Sequence, residues 1–280
     1  MKPPSNPPIA TVHLFPELDR LLIELLKSLT DEEWQKPTLT RLWTVKDVAA
    51  HLLDGNIRML SMARDGYFGE HPDPIESYRD LVTYLNRLNA DWVKASRRLS
   101  PAVLIELLSL TGPQCSAYLT TLDPTAPALF SVAWAGEDQS PNWFHVAREY
   151  TEKWHHQQQI REAVGKPGLM TRALFYPFID TFMRGLPHTY RHTPAPDGTT
   201  IQITIRTDLG GDWYLQRFHE QWFLHKEASN FPEAVVQIAP EVAWKLFTKG
   251  VSPEAARPLV QISGNRSLGE TALTLVAVMA

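Results

Sequence analysis

Between Ser140 and Gly168, five residues able to do chemistry recur along one helical stripe. They are His145, Glu149, Glu152, His156 and Gln159, at spacings of 4, 3, 4 and 3. Glu152 and His156 stand one turn apart, so a carboxylate and an imidazole can aim at the same small volume. That pairing suits a divalent ion such as zinc, which takes imidazole nitrogen and carboxylate oxygen from converging ligands. The plainer alternative is the wet face of an amphipathic helix. Such faces usually mix in Lys and Arg, whereas Arg148, Lys153 and Arg161 lie off this stripe. Spacing alone leaves both readings open, because Glu and His at this separation are common.

The elements that must position these side chains are legible as punctuation. Ser140-Pro141 supplies a cap followed by proline at the first helical position, and Gly165, Pro167 and Gly168 are stop signals. Upstream, an extended leader over Pro3–Pro8 precedes an amphipathic helix from about Thr11 to Leu29. Thr44-Val45-Lys46-Asp47 has the form of a capping box and opens a helix reaching about Arg64. His71–Pro74 reads as a loop. Helices then follow from about Glu76 and from Pro101, the latter expected to break or kink at Thr111-Gly112-Pro113. Residues 123–139 read as a long loop leading into the central helix, and a further helix spans about Thr171 to Leu186.

Beyond Pro187 the pattern changes to short alternating runs. These are 200–206, 213–218, 221–225, 235–238 and 259–262, with helices from Pro240 and from about Ser267. The expected architecture is therefore multidomain. A bundle of long helices covers residues 1–188, and a small α+β domain with an antiparallel sheet covers 189–280.

Composition narrows the classes. The chain has 280 residues, 44% of them hydrophobic, and a formal net charge of −4, with no basic cluster for nucleic acid. No apolar run is long enough to span a bilayer, and the N-terminus lacks the hydrophobic stretch of a signal peptide, which suggests a cytoplasmic protein. A single cysteine, Cys115, rules out an internal disulfide and reads as a buried small residue, so a thiol used in chemistry would come from outside.

Residues 41–54, R-L-W-T-V-K-D-V-A-A-H-L-L-D, resemble the W-T-V-x-D-V-x-A-H-L segment of the DinB-like superfamily, and more narrowly its mycothiol-dependent maleylpyruvate isomerase branch. The E-x3-H of Glu152–His156 matches that branch, where classical members carry H-x3-H, and Gln159-Ile160 is similar to the family's H-x-x-Q-I. The C-terminal strands, Lys249-Gly250 and Ile262-Ser263-Gly264-Asn265 resemble the sterol-carrier-protein-like fold often fused to this bundle.

The resemblance implies an up-down DinB-like bundle with His51, Glu152 and His156 as metal ligands, although periodicity alone would leave His51 on the surface. It implies zinc, with nickel or manganese as alternatives, and an open coordination position. A low-molecular-weight thiol such as mycothiol, bacillithiol or glutathione would be deprotonated there for isomerisation or S-transfer on a small electrophilic or acidic substrate. Gln159 and Asp54, one turn beyond His156 and His51, would hold the ligands; His145 and Glu149 would line the pocket; His155 would sit in support or at the surface. Arg206 and Arg217 are candidate anchors for substrate or thiol. Two other functions stay open: a metal-dependent amide or ester hydrolase with Glu149 or His145 as base, and a non-catalytic binder of a small or lipid-like molecule with a vestigial metal site. The expected partners are a small-molecule substrate and a thiol, with no nucleic acid or membrane, in a monomer or homodimer.

Overall fold

The structure is a computed structural model describing residues 7–40, 42–70, 74–228 and 230–279. Most of the leader at Pro3–Pro8 and of the loop at His71–Pro74 lies outside these. The chain divides into two compact units, one containing residues 10–130 and 141–169, the other residues 7–9, 131–140 and 170–278.

The first unit is a helix bundle. Its elements are α1 (Phe15–Lys27), the short α2 (Asp31–Trp34), α3 (Val45–Arg58), α4 (Tyr78–Ser96), α5 (Pro101–Leu119) and α6 (Asn142–Val164). Leu22, Leu25 and Leu26 of α1 meet Val48, Leu52 and Leu53 of α3, Leu104 and Leu108 of α5, and Ile160 of α6 in one core. The start of α3 is fixed by a reciprocal capping box: Asp47 N donates to Thr44 Oγ1 at 3.3 Å, and Thr44 N donates to Asp47 Oδ2 at 3.0 Å. A π-helical turn, Met59–Arg64, prolongs α3.

Two expectations are corrected here. The α5 helix runs unbroken through Pro113, because Leu104 and Leu108 before it and Cys115 and Leu119 after it are all buried; their packing outweighs the roughly 3 kcal/mol of an interior proline. Ser140 does not cap α6, which begins at Asn142 with Pro141 at the cap position. The Ser140 hydroxyl instead accepts from Val132 N at 2.8 Å and donates to Glu137. At the other end, Gly165 adopts φ +69, the left-handed turn that glycine takes without strain, and closes the helix on the carbonyls of Arg161 and Glu162.

The second unit carries α7 (Arg172–Met183) and α8 (Leu186–Thr189), and then five strands: β1 (Thr200–Ile205), β2 (Gly211–Phe218), β3 (Gln221–His225), β4 (Ala234–Ile238) and β5 (Gln261–Gly264). Short helices α9 (Pro240–Phe247), α10 (Pro253–Ala256) and α11 (Arg266–Thr271) complete it. Residues from Arg172 onward thus cluster with the sheet, ahead of the change of pattern at Pro187. The reason is visible in α7, where Asp180 accepts from Trp213 Nε1 of β2 at 2.7 Å and from Lys226 Nζ at 2.5 Å.

The sheet order is β3-β2-β1-β4-β5. It is mixed rather than wholly antiparallel, because β1 and β4 run parallel while the other pairs are antiparallel. Ile201, Ile203 and Ile205 alternate inward beside Trp213, Leu215, Val236 and Ile238, so period-2 burial sets the register. At the β1–β2 turn, a side chain on Gly210 would come within 2.0 Å of the Ile205 carbonyl, so only glycine fits.

Candidate metal centre

Two helices supply the centre. The capping box at Thr44 sets the phase of α3, which places His51 two turns in, facing α6. There its ring centroid lies 4.6 Å from that of His156 in an edge-to-face arrangement, and 4.9 Å from that of Trp43. From α6, Glu152 Oε2 approaches His156 Nε2 at 3.5 Å. His51, Glu152 and His156 each offer one donor atom, all within 4.8 Å of one another. Two donors around a tetrahedral zinc stand about 3.4 Å apart, so the Glu152–His156 pair is already at the required spacing.

Protonation states favour the same use. Burial drives the His51 imidazole well below its ordinary value, with His156 adding to the effect, so the ring is neutral. Burial alone would push the Glu152 carboxyl up, but the nearby His156, His155 and Arg148 outweigh it and hold the group well below the carboxylate range. Neutral imidazole and ionised carboxylate are the forms that bind metal without first losing a proton. Nδ1 of His51 is also buried and unpartnered among the described residues, an orphan nitrogen that a ligand would relieve. The donor set therefore fits a divalent ion.

The surroundings answer most of the remaining expectations. His156 Nδ1 donates to Gln159 Oε1 at 3.0 Å, which leaves Nε2 free to coordinate. Asp54 does not reach His51; it pairs with Arg58 at 2.8 Å. The stripe is no wet face, since His145, His156 and Gln159 are all buried. His155 is buried too, its Nδ1 2.9 Å from the Thr151 carbonyl and its ring 3.9 Å from that of His156. His145 and Glu149 face each other at 3.7 Å, and burial lowers His145 to about 4.

Arg217 donates to the Thr193 carbonyl at 3.1 Å and stacks over Trp222, while Arg206 follows the end of β1 with its N–H on Ile238. Sequence reasoning placed Arg148 off the stripe. Its guanidinium instead reaches Glu149 Oε1 at 2.6 Å and comes within 3.9 Å of Glu152 Oε1. The available signal was its position four residues before Glu152, the spacing at which opposite charges meet on a helix.

The bundle also has room for a small molecule, in a cleft that the three donors do not line. The cleft, of about 370 Å³, is lined by Asp54, Arg58, Tyr67, Tyr84 and Trp92, and Trp92 is anchored there by its indole N–H to the Ala50 carbonyl at 2.8 Å.

Comparison with known proteins fits this arrangement. Residues 15–161 match the family model described as mycothiol maleylpyruvate isomerase N-terminal domain. The chain belongs to that family. Among solved structures, the fold is similar to that of the mycothiol-dependent maleylpyruvate isomerase (TM-score 0.50, 13% identity, covering 84% of this chain and 88% of that chain). A histidine-to-alanine mutant of that protein gives TM-score 0.52 at 12% identity, covering 90% of this chain and 92% of that chain. At such identities the likeness is one of fold. A comparison with curated proteins finds no match. Within this maleylpyruvate isomerase domain family, the matched segment contains His51, Glu152 and His156 together.

Proposed function

We propose that this protein is a metal-dependent enzyme that uses a low-molecular-weight thiol for isomerisation or S-transfer on a small electrophilic or acidic substrate. The observation carrying this reading is the convergence of His51, Glu152 and His156, two imidazoles and one carboxylate, in a set that leaves a divalent ion an open position. Zinc suits these ligands best, with nickel and manganese as alternatives.

A bound divalent ion would supply a Lewis acid that lowers the pKa of an entering thiol. The chain's own residues do the rest. Gln159 fixes the ring of His156, and Trp43 packs against His51 and His156. The thiol comes from outside, because Cys115 is fully buried and burial pushes its thiol up to about 11. The sheet-bearing unit is read as sterol-carrier-protein-like.

The deciding experiment uses untagged protein loaded with cobalt and titrated with mycothiol, bacillithiol and glutathione. A sulfur-to-cobalt charge-transfer band that is absent in His156→Ala supports thiol activation. Cobalt uptake without a band for any thiol favours the hydrolase reading instead. Ligand binding that survives loss of His51 and His156 favours the non-catalytic binder.

A further inference from the structure

The unassigned cation at this centre is Arg148. It sits one turn before Glu152 on α6, with its side chain only 20% exposed. Its terminal nitrogens are used unequally: NH2 donates to Glu149 Oε1 at 2.6 Å, whereas the approach of NH1 to Glu152 Oε1, at 3.9 Å, is too long for a hydrogen bond. The other cations beside the cluster are bound to partners. Lys153 donates to Asp19 at 2.7 Å, and Arg58 is held by Asp54 at 2.8 Å and by Asn89 at 3.0 Å.

A guanidinium hydrogen-bonded to Glu149 on one side and only loosely ion-paired with Glu152 on the other keeps N–H donors that a further carboxylate can use. Its planar fork favours that group over a neutral one, and its low exposure limits competition from water. Glu149 supplies the orientation. It is itself flanked by His145 Nε2 at 3.7 Å.

We infer that Arg148 receives a carboxylate of the molecule bound at the centre and so selects anionic over neutral ligands of equal size. This rests on the metal reading above and adds the ligand's charge to it. No covalent step is involved; the contact is a charge-assisted hydrogen bond.

The test compares two thiols of equal length, 3-mercaptopropionate and its neutral amide 3-mercaptopropionamide, titrated into the full-length cobalt-loaded protein and followed by absorption. Wild type binds the acid more tightly than the amide. Arg148→Gln weakens the acid by about tenfold or more and leaves the amide within about twofold. Arg148→Lys, which keeps the charge but loses the fork, falls between. Equal losses for acid and amide would mean that Arg148 acts only by steadying Glu152, and an unchanged acid affinity would mean that it touches no ligand; either overturns the inference. Cobalt uptake is measured first in every protein. A wild type that takes none defeats the metal reading and this inference with it, whereas normal uptake with an unmoved acid-to-amide ratio defeats this inference alone.

Discussion

The imidazoles of His51 and His156 meet edge to face, with centroids 4.6 Å apart, although they belong to α3 and α6. Metal binding should depend on both. Elemental analysis is expected to find close to one equivalent in untagged wild type and little in His51→Ala or His156→Ala. Zinc at about a hundred times its Kd should raise stability by about 2.7 kcal/mol in wild type and not in the variants. A wild type that stays empty and refuses zinc, nickel and manganese would end the metalloenzyme reading.

Gln159 should matter through His156 rather than through the fold. Losing the acceptor on Nδ1 in Gln159→Leu is expected to weaken metal binding by about 10- to 100-fold. Competition with a chelator measures this, and Gln159→Glu, which keeps an acceptor in place, should recover most of it. Equal affinity in wild type and Gln159→Leu would show that the ring needs no such restraint.

The metal-free protein should lose stability in mild acid. In the unfolded chain an imidazole titrates near 6.5, whereas burial holds His145 at about 4 in the fold. Between those values the unfolded chain binds more protons, so stability rises with pH across the window and falls as pH drops from about 6.5 towards 4. The His145 contribution is on the order of 3 kcal/mol over that range. Urea denaturation at several pH values checks it, and His145→Leu should show a shallower decline. Identical declines would exclude His145 as the source.

Asp180 should be a structural keystone of the sheet-bearing unit. Its carboxylate joins Trp213, Lys226 at 2.5 Å and Arg184 at 3.3 Å. Asp180→Ala leaves the largely buried Arg184 without this partner and should cost about 3–5 kcal/mol in denaturation experiments. A loss below about 1 kcal/mol would place the group in a far more solvated setting than its burial indicates.

Cys115 should be chemically silent. Burial both shields the thiol and keeps it protonated at neutral pH, so iodoacetamide is expected to leave the native protein unlabelled. Any thiol-dependent activity should persist in Cys115→Ala. Rapid native labelling would reopen the cysteine as a nucleophile.

The features that were readable in the sequence are those set by local rules. Thr44 and Asp47 announce the start of α3 because a capping box needs only four residues, and the 4-3-4-3 stripe puts Glu152 and His156 on one face of α6. The parallel pairing of β1 with β4 was not readable, since alternation gives a strand's faces and not its neighbour's direction. Nor was the fate of the Ser140 hydroxyl, which depends on Glu137 and Val132 folding back on it. His51 shows the limit most clearly. Its angle from the apolar face suggests a surface residue, and only α6 lying against α3 turns that flank into an interior. Arg148 was missed for a related reason: a long side chain need not stay on the face where its Cα begins.

The origin of the donors in distant segments has a consequence for how the protein is made. His51 leaves the ribosome early, but Glu152 and His156 lie near the end of the bundle, beyond residues 131–140, which cluster with the other unit. A nascent chain that has not reached α6 holds only His51 of the three donors. On the proposed metal reading, ion capture would therefore be a late event in biogenesis, open only to a chain that has completed α6.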